Sequence, residues 1–148
     1  MEKLFKEELI VKIDCQTPGT PGFTILRDKN IERVDDKKQS KYRTGVGMLL
    51  FLIKHSRPDI ANCTQELSKV LDGATHSAYK EMLRVMKFVI ATREWGLKFN
   101  PTFDNKGEWS LTMYTDSDYA GDKETRISVT GYILFFMGVP IIWKSKSQ

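Results

Sequence analysis

The stretch SLTMYTDSDYAGDKETRISVTGYILFFMGVPIIWKS, residues 110–145, decides the fold class of this chain. Its apolar and β-branched residues fall into three runs, residues 110–115, 129–138 and 140–145, which turn-forming or charged residues separate. Short connections favour antiparallel pairing, and the Gly-Val-Pro corner at residues 138–140 is typical of a hairpin. The sequence therefore predicts a β-meander, and its apolar face is expected to need a partner layer.

The chain before the meander has helical periodicity. Ser40 is a candidate N-cap for a first helix, which is apolar on nearly all sides and is therefore expected to be buried. Gly45 and Gly47 lower its helix propensity, and we expect both to let a neighbouring element pack closely. The apolar face predicted for this helix consists of Val46, Leu49, Leu50 and Ile53.

Two further helices are predicted. The second is expected to open at Pro58, with Ser56 as its cap, and to run to Leu71. A third helix follows, capped by Thr75 or Ser77. The inward positions predicted for these two helices are Ile60, Cys63, Leu67, Val70 and Leu71, followed by Tyr79, Met82, Leu83, Met86, Val89 and Ile90.

The N-terminal region is less regular. Residues 2–11 fit one short amphipathic helix with Leu4, Leu9 and Ile10 on its apolar side, and two Pro-Gly pairs then predict a linker or an extended strap. Asp35 and Asp36 resemble half of a polymerase Tyr-x-Asp-Asp turn. They lack the tyrosine and the flanking strands, so they indicate a helix start or a turn.

The predicted fold class is therefore α+β, with a three-helix segment followed by an antiparallel β-meander. A further short strand is predicted at residues 96–99. The domain organisation that we predict is residues 1–39 as an N-terminal tail and linker, 40–95 as a helical segment and 96–148 as the β-segment.

Composition is that of a globular intracellular protein. Of 148 residues, 41% are hydrophobic and 28% charged, no apolar run is long enough to span a membrane, and the N-terminus does not resemble a signal peptide. Cys15 and Cys63 lie far apart and are expected to be free thiols. The net charge of +4 is uneven, since residues 41–100 carry a basic excess and residues 101–122 an acidic one. A polyanion-binding surface beside a metal site would show this pattern, and so would an ordinary solvated surface.

Three carboxylates, Asp116, Asp118 and Asp122, lie within seven residues after the first predicted strand. Strand ends present side chains into clefts, and carboxylate oxygens suit magnesium. Asp116 is expected at the strand end, and Asp118 shares its side if the strand continues, because side chains alternate. Two carboxylates do not complete a two-metal site. Read alone, the cluster also fits an acidic, solvated turn.

Lys80, Arg84 and Lys87 recur along the third predicted helix at i, i+4 and i+7. Such a stripe can follow a phosphate backbone. A solvated helix face with no ligand fits the same spacing.

Four ordered blocks carry a family resemblance: Tyr-Arg-x-x-Val-Gly, His-x-Arg-Pro-Asp-Ile, Ser-Asp-x-Ala-Gly-Asp and Ile-x-Trp-Lys-Ser-Lys. In this order and spacing, over about residues 15–148, the chain resembles the Pol polyprotein of copia-type LTR retrotransposons. The matching segment is the one that joins reverse transcriptase to ribonuclease H. The resemblance implies that residues 1–39 correspond to a polymerase tail and linker and residues 40–95 to a helical thumb or connection. Residues 96–148 would then be the first strands of a ribonuclease H-like domain.

The resemblance also implies a site and partners. Asp116 matches the first ribonuclease H acid, a Mg²⁺ ligand, with Asp118 as a weaker candidate. Lys80, Arg84 and Lys87 would contact a template–primer duplex or an RNA–DNA hybrid. The remainder of a Pol polyprotein is a further partner, and a cytoplasmic or nuclear location follows.

The polymerase Tyr-x-Asp-Asp and the later ribonuclease H acids are expected outside the sequence. The chain is therefore expected to be a truncated piece that is inactive alone. One alternative is a non-catalytic nucleic-acid-binding module derived from a retroelement. A third interpretation is a structural or interaction protein unrelated to nucleic acid, which an absence of salt-sensitive binding to a hybrid duplex would favour.

Overall fold

The computed structural model of the protein describes residues 3–9, 16–25, 31–103, 108–118 and 128–147. Within them lie the helices α1 (Asp36–His55), α2 (Ala61–Ser68) and α3 (His76–Ala91) and the strands β1 (Leu111–Asp118), β2 (Val129–Phe136) and β3 (Val139–Ser147). The chain divides into a helical unit, Met1–Trp95, and a β unit, Gly96–Gln148. The predicted α+β class is confirmed. None of the helices in the described part of the chain is long and apolar enough to cross a membrane.

Helix α1 begins five residues earlier than predicted. Asp35 has extended backbone angles, and its side chain accepts the backbone N–H of Lys38 at 2.8 Å, so Asp35 is the N-cap. The predicted cap, Ser40, lies inside the helix, and that prediction was wrong. The interpretation of Asp35 and Asp36 as a helix start is confirmed.

Gly45 lets α1 pack closely against α3. A Cβ at Gly45 would lie 2.5 Å from Met82 Sδ and 2.7 Å from Met86 Cε, so the ends of these two fully buried methionine side chains would have to move to admit it. The same role predicted for Gly47 was wrong, because a Cβ there would meet open space among the described residues. The expectation that α1 is buried on nearly all sides was also wrong. Phe51 is 63% exposed and Leu50 is 41% exposed.

The second helical segment is shorter than predicted. It starts as a 3₁₀ turn (Pro58–Ile60), continues as α2 and ends at Ser68 instead of Leu71. Ser56 does not cap this segment. Its N–H donates to the Leu52 carbonyl oxygen at 2.9 Å, which makes Ser56 the C-cap of α1.

Helix α3 begins where the sequence predicted. Thr75 is its N-cap, and the Thr75 hydroxyl accepts the N–H of Ala78 at 3.2 Å. The Tyr42 hydroxyl donates to the Leu67 carbonyl oxygen at 2.7 Å and joins α1 to α2.

The core of the helical unit is formed by all three helices and by Phe5. Its largest fully buried side chains are Tyr42, Phe5, Leu49, Ile60, Leu67, Met82, Met86, Val46, Val85 and Thr64.

Residues 3–9 form turns, so the predicted N-terminal helix was wrong over its described part. A single i→i−4 bond, from Leu9 N–H to the Phe5 carbonyl oxygen at 3.0 Å, replaces a helical ladder. So short a segment is marginal as a helix without packing support. Phe5 is fully buried and Leu4 is exposed, so the inward position predicted for Leu4 was wrong, whereas Leu9 packs against the core as predicted and Ile10 lies outside the described residues.

Residues 16–25, here called the strap, form the predicted non-helical segment and are held to the helices by carboxylates. Glu81 of α3 accepts the Thr20 N–H at 2.6 Å and the Thr20 hydroxyl at 2.8 Å. Glu66 of α2 accepts the Ile25 N–H at 3.4 Å. These bonds give the strap a fixed path over the helices.

The strands of the β unit pair antiparallel in the order β1-β2-β3. Met137 and Gly138 form the β2–β3 turn with φ of 52° and 77°, one residue earlier than the predicted corner. Before this turn, the β2–β3 register shifts by a bulge between Leu134, which pairs with Ile142, and Phe135, which pairs with Pro140. Residues 96–99 are irregular, so the strand predicted there was wrong, because no strand in the described part of the chain pairs with them.

Candidate functional site

Asp116 lies inside β1, where it pairs with Gly131 of β2. Gly131 in turn pairs with Ser145 of β3, so these three positions form a row across the sheet. A Cβ at Gly131 would have the Asp116 carbonyl oxygen, 4.0 Å away, as its nearest described neighbour. Asp116 is exposed. The sheet therefore leaves open space next to a solvent-accessible carboxylate.

The rest of the acidic cluster is only partly described. The prediction that β1 ends at Asp116 was wrong, because the strand continues through Asp118. The side chain of Asp118 and the whole of Asp122 lie outside the described residues. Within the described ranges, no three His, Cys, Asp or Glu side chains come together as a metal site. The described part of the site thus supplies one carboxylate.

Both faces of the sheet carry apolar side chains. Directly paired residues of antiparallel strands share a face. Met113 and Tyr114 lie on opposite faces and are 55% and 63% exposed. By the strand register, one face carries Leu111, Met113, Leu134, Phe136 and Ile142, and the other carries Tyr114, Ile133, Phe135 and Trp143. The sequence analysis predicted that one face of the sheet is apolar and needs a partner layer. The strand register shows that both faces carry apolar side chains.

The basic stripe of α3 is not uniformly accessible. Lys80 is exposed, whereas Arg84 and Lys87 are half-buried. Arg84 Nη2 donates to the Thr17 hydroxyl of the strap at 3.4 Å, and Arg84 Nε is buried with no hydrogen-bond partner among the described residues. Arg84 is therefore directed towards the strap, and Lys80 is the member most available to a ligand.

Arg57 is a buried cation that the sequence analysis did not single out. It is 5% exposed, its Nε and Nη2 donate to the Asp59 carboxylate at 2.9 and 2.8 Å, and its Cζ lies 5.5 Å from the centre of the Phe88 ring. The same guanidinium donates to Thr92 beyond the end of α3. In the sequence analysis, Arg57-Pro58-Asp59 entered only as part of a family resemblance. An arginine two residues before an aspartate at a helix start could have indicated the Arg57–Asp59 ion pair.

An apolar groove of about 690 Å³ lies between α1 and α3. Its lining includes Gly47, Met48, Phe51, Leu52, Val89 and Ile90. The sequence analysis missed this groove because it assigned the exposed side of α1 to the interior.

Cys63 is a protonated thiol in this fold. Burial raises its pKa to about 11, and its Sγ–H donates to the Ile60 carbonyl oxygen at 3.1 Å. A thiol with such a pKa is a poor nucleophile at neutral pH. Cys63 is free, as predicted, and Cys15 lies outside the described residues.

Comparison with curated proteins gives several relatives. The chain is 34% identical to the retrovirus-related Pol polyprotein from transposon RE1 of Arabidopsis thaliana over 149 residues, which is all of this chain and 10% of that protein. It is 34% identical to the corresponding polyprotein from transposon RE2 over 74% of this chain and 7% of that protein. It is also 32% identical to secreted RxLR effector protein 161 of Plasmopara viticola, with 75% of each chain covered. No protein-family model and no solved structure matches.

These relatives define a retroelement-derived protein. The chain belongs to the family of copia-type, retrovirus-related Pol polyproteins. It spans a tenth or less of the length of the Arabidopsis polyproteins that it matches, and three quarters of the effector protein.

Proposed function

We propose that this chain is the segment of a Pol polyprotein that links reverse transcriptase to ribonuclease H. In this proposal residues 1–39 are the polymerase tail and linker, residues 40–95 a thumb- or connection-like unit, and residues 96–148 the opening strands of a ribonuclease H-like domain. The whole protein would carry out RNA-directed DNA synthesis and cleavage of RNA–DNA hybrids. A cytoplasmic or nuclear location belongs to the same proposal.

The position of Asp116 carries the proposal. It is an exposed carboxylate within the first strand of an antiparallel meander, and it lies beside the open space over Gly131. A carboxylate on a regular strand is held more rigidly than one on a loop, which a metal ligand requires. The match of the "YTD" stretch, residues 114–116, to the family's first catalytic acid supports the same assignment.

The donor chemistry of this site suits magnesium, but the number of described carboxylates is too small to hold a two-metal centre. Carboxylate oxygen is a ligand that Mg²⁺ prefers, and Mg²⁺ would there supply charge stabilisation at a phosphodiester. The described site offers one such carboxylate, fewer than a two-metal clamp needs. The described site alone therefore does not complete a two-metal cleavage centre, and we expect the isolated chain to be inactive on a hybrid duplex.

A nucleic-acid duplex is the proposed partner of the helical unit. Lys80 is exposed on α3, and Lys87 lies two turns further along the same helix. Lysines that neutralise phosphates release counterions, which makes binding sensitive to salt. Arg84 contributes less in this arrangement, since its guanidinium is engaged by Thr17.

Fluorescence anisotropy with a labelled RNA–DNA hybrid tests the partner. Binding is expected to weaken as salt rises, and Lys80→Glu is expected to weaken it roughly fivefold or more at low salt. The matched control is Lys37→Glu, an equal charge change at an exposed position on the first turn of α1. Equal effects of the two variants, or binding that ignores salt, would reject the assignment to α3.

Manganese, a paramagnetic substitute for magnesium, tests the metal ligand. Dilute Mn²⁺ is expected to broaden the NMR amide signals of Asp116 and Gly131, and Asp116→Asn is expected to abolish this broadening. Unchanged broadening in the variant would remove Asp116 from the site. Magnesium-dependent cleavage by the isolated chain would contradict the expectation of inactivity.

The alternative is a non-catalytic nucleic-acid-binding module derived from a retroelement. One observation favours it: the similarity to the Plasmopara viticola protein covers three quarters of both chains, so this kind of segment occurs outside long polyproteins. Salt-sensitive hybrid binding without Mn²⁺ binding at Asp116 would support this alternative over the first proposal.

A further inference from the structure

The strap carries two Thr-Pro pairs, Thr17-Pro18 and Thr20-Pro21. At the second pair, the Phe23 N–H donates to the Thr20 carbonyl oxygen at 3.0 Å, and Gly22 has φ of 72°. Proline at the second and glycine at the third position define a type II turn. This turn presents Thr20 as an exposed residue on the surface of the helical unit.

Both hydrogen bonds that Thr20 donates to α3 end on one carboxylate. Glu81 Oε1 accepts the Thr20 backbone N–H, and Oε2 accepts the hydroxyl. Glu81 is 6% exposed, so its carboxylate cannot swing into water without opening the surrounding packing. The attachment of the strap therefore depends on a proton donor, and not an anion, at the Thr20 side chain.

Thr17 has the opposite environment. Its hydroxyl accepts from Arg84 Nη2 at 3.4 Å, and Arg84 Nε lies nearby without a partner among the described residues. A negative group on Thr17 would gain charge-assisted hydrogen bonds from this guanidinium. The strap thus holds two threonines three residues apart, one facing a carboxylate and the other a cation.

We infer that Thr20 is a phosphorylation site whose modification detaches the strap from α3. A protein kinase that selects Thr-Pro would transfer the γ-phosphoryl group of ATP: a bond forms between phosphorus and Thr20 Oγ1, the bond to the bridging oxygen of ADP breaks, and the hydroxyl proton leaves to the kinase. The phosphate brings a charge of about −1.5 to −2 to the position of the lost donor. Its repulsion from buried Glu81 removes both bonds that fix the strap at this point.

Amide hydrogen exchange of the full chain tests the detachment. Thr20→Glu is expected to speed exchange of the Phe23 and Ile25 amides about tenfold or more, while amides in the middle of α3 keep their rates. The matched control is Thr17→Glu, which places the same charge beside Arg84 and is expected to leave those rates within about twofold. Unchanged exchange in Thr20→Glu, or an equal acceleration by Thr17→Glu, would overturn the inference.

Two further measurements test the inference even if Thr20→Glu also lowers the stability of the whole helical unit. Adding Glu81→Gln to Thr20→Glu removes the repulsion and supplies an amide donor, so exchange is expected to return towards the wild-type rate. The unmodified chain is also incubated with ATP and a Thr-Pro-selective kinase, and phosphate is located by mass spectrometry. Absence of rescue, or phosphorylation of Thr20 only after denaturation, would overturn the assignment.

Discussion

The guanidinium of Arg57 lies at the C-terminal end of α3, on Thr92. Its Nη1 donates to the Thr92 carbonyl oxygen at 3.2 Å, and its Nη2 donates to the Thr92 hydroxyl at 2.7 Å. Carbonyls at a helix C-terminus lack intrahelical donors, and a cation there is favoured by the helix dipole. The same side chain binds Asp59, so one residue joins the corner between α1 and α2 to the end of α3.

Replacing Arg57 with lysine is expected to lower the free energy of unfolding by about 3 kcal/mol. A lysine ammonium keeps the charge but cannot donate to Asp59 and Thr92 in the same planar arrangement, and a poorly paired buried charge is costly. Urea unfolding at pH 7 measures the change. Arg93→Lys is the control, since the Arg93 side chain is 71% exposed, and it is expected to stay within about 0.5 kcal/mol. Similar losses in both variants would contradict the role given to Arg57.

Gly45 and Gly47 provide a matched pair on one helix. Gly45→Ala is expected to destabilise the helical unit by about 1–3 kcal/mol, because the new methyl group would displace the ends of the Met82 and Met86 side chains, which are fully buried in a packed core. Gly47→Ala is expected to stabilise it by up to about 1 kcal/mol, because alanine favours the helix and the site is open. Thermal unfolding followed by circular dichroism distinguishes the two. Changes of the same sign would refute the packing described at Gly45.

Cys63 is expected to react slowly with iodoacetamide at pH 8 in the folded chain. Burial raises its pKa to about 11, so the thiolate is scarce at that pH. A Cys15→Ala background isolates the signal, and the same chain in urea gives the reference rate. Because the folded state holds this proton more tightly than the unfolded state does, stability is expected to fall as the pH rises from about 9 towards 11. An equal reaction rate with and without urea would contradict the burial of the thiol.

The Glu8–Lys41 pair is expected to make stability sensitive to acid. Lys41 Nζ donates to Glu8 Oε1 at 2.6 Å, and this bond holds the pKa of Glu8 below its ordinary value. A lowered folded-state pKa stabilises the fold above the unfolded-state pKa, and that contribution is lost as the pH falls through the folded-state value. Urea midpoints measured from pH 7 down to pH 3 are expected to fall less in Glu8→Gln than in the wild-type chain. Parallel curves would show that the pair contributes nothing to the pH dependence.

The sequence predicted those features that depend on local chemistry. Thr75 caps α3 because a threonine with extended backbone angles can accept a helical N–H wherever it stands. The three strands follow from runs of apolar residues, and Met137-Gly138 lies within one residue of the expected turn. The assignment of Asp116 as a metal ligand, which rests on its place after an apolar run and on the ordered blocks of the family, stays a prediction.

Features that depend on distant partners could not be predicted in this way. Phe5 replaces Leu4 in the core because tertiary packing chooses between neighbouring apolar residues. Gly45 and Gly47 are equivalent in sequence, and only the position of α3 distinguishes them. Arg84 donates to Thr17 of the strap, which lies 67 positions away in the sequence. The spacing of basic residues along α3 alone therefore overstated how accessible Arg84 is to a ligand.

A sheet that is apolar on both faces carries a consequence for how its strands find their alignment. In a one-sided sheet, sliding a strand by one residue exchanges buried and exposed side chains, and the hydrophobic effect forbids the slip. Here such a slip would exchange one apolar face for another, so the hydrophobic effect distinguishes only weakly between the correct register and a register shifted by one residue. The left-handed angles of Met137 and Gly138 and the bulge at Leu134 and Phe135 must then specify the register of β2 and β3. Between β2 and β3, the alignment is therefore set by the hairpin turn and not by the apolar pattern of the strands.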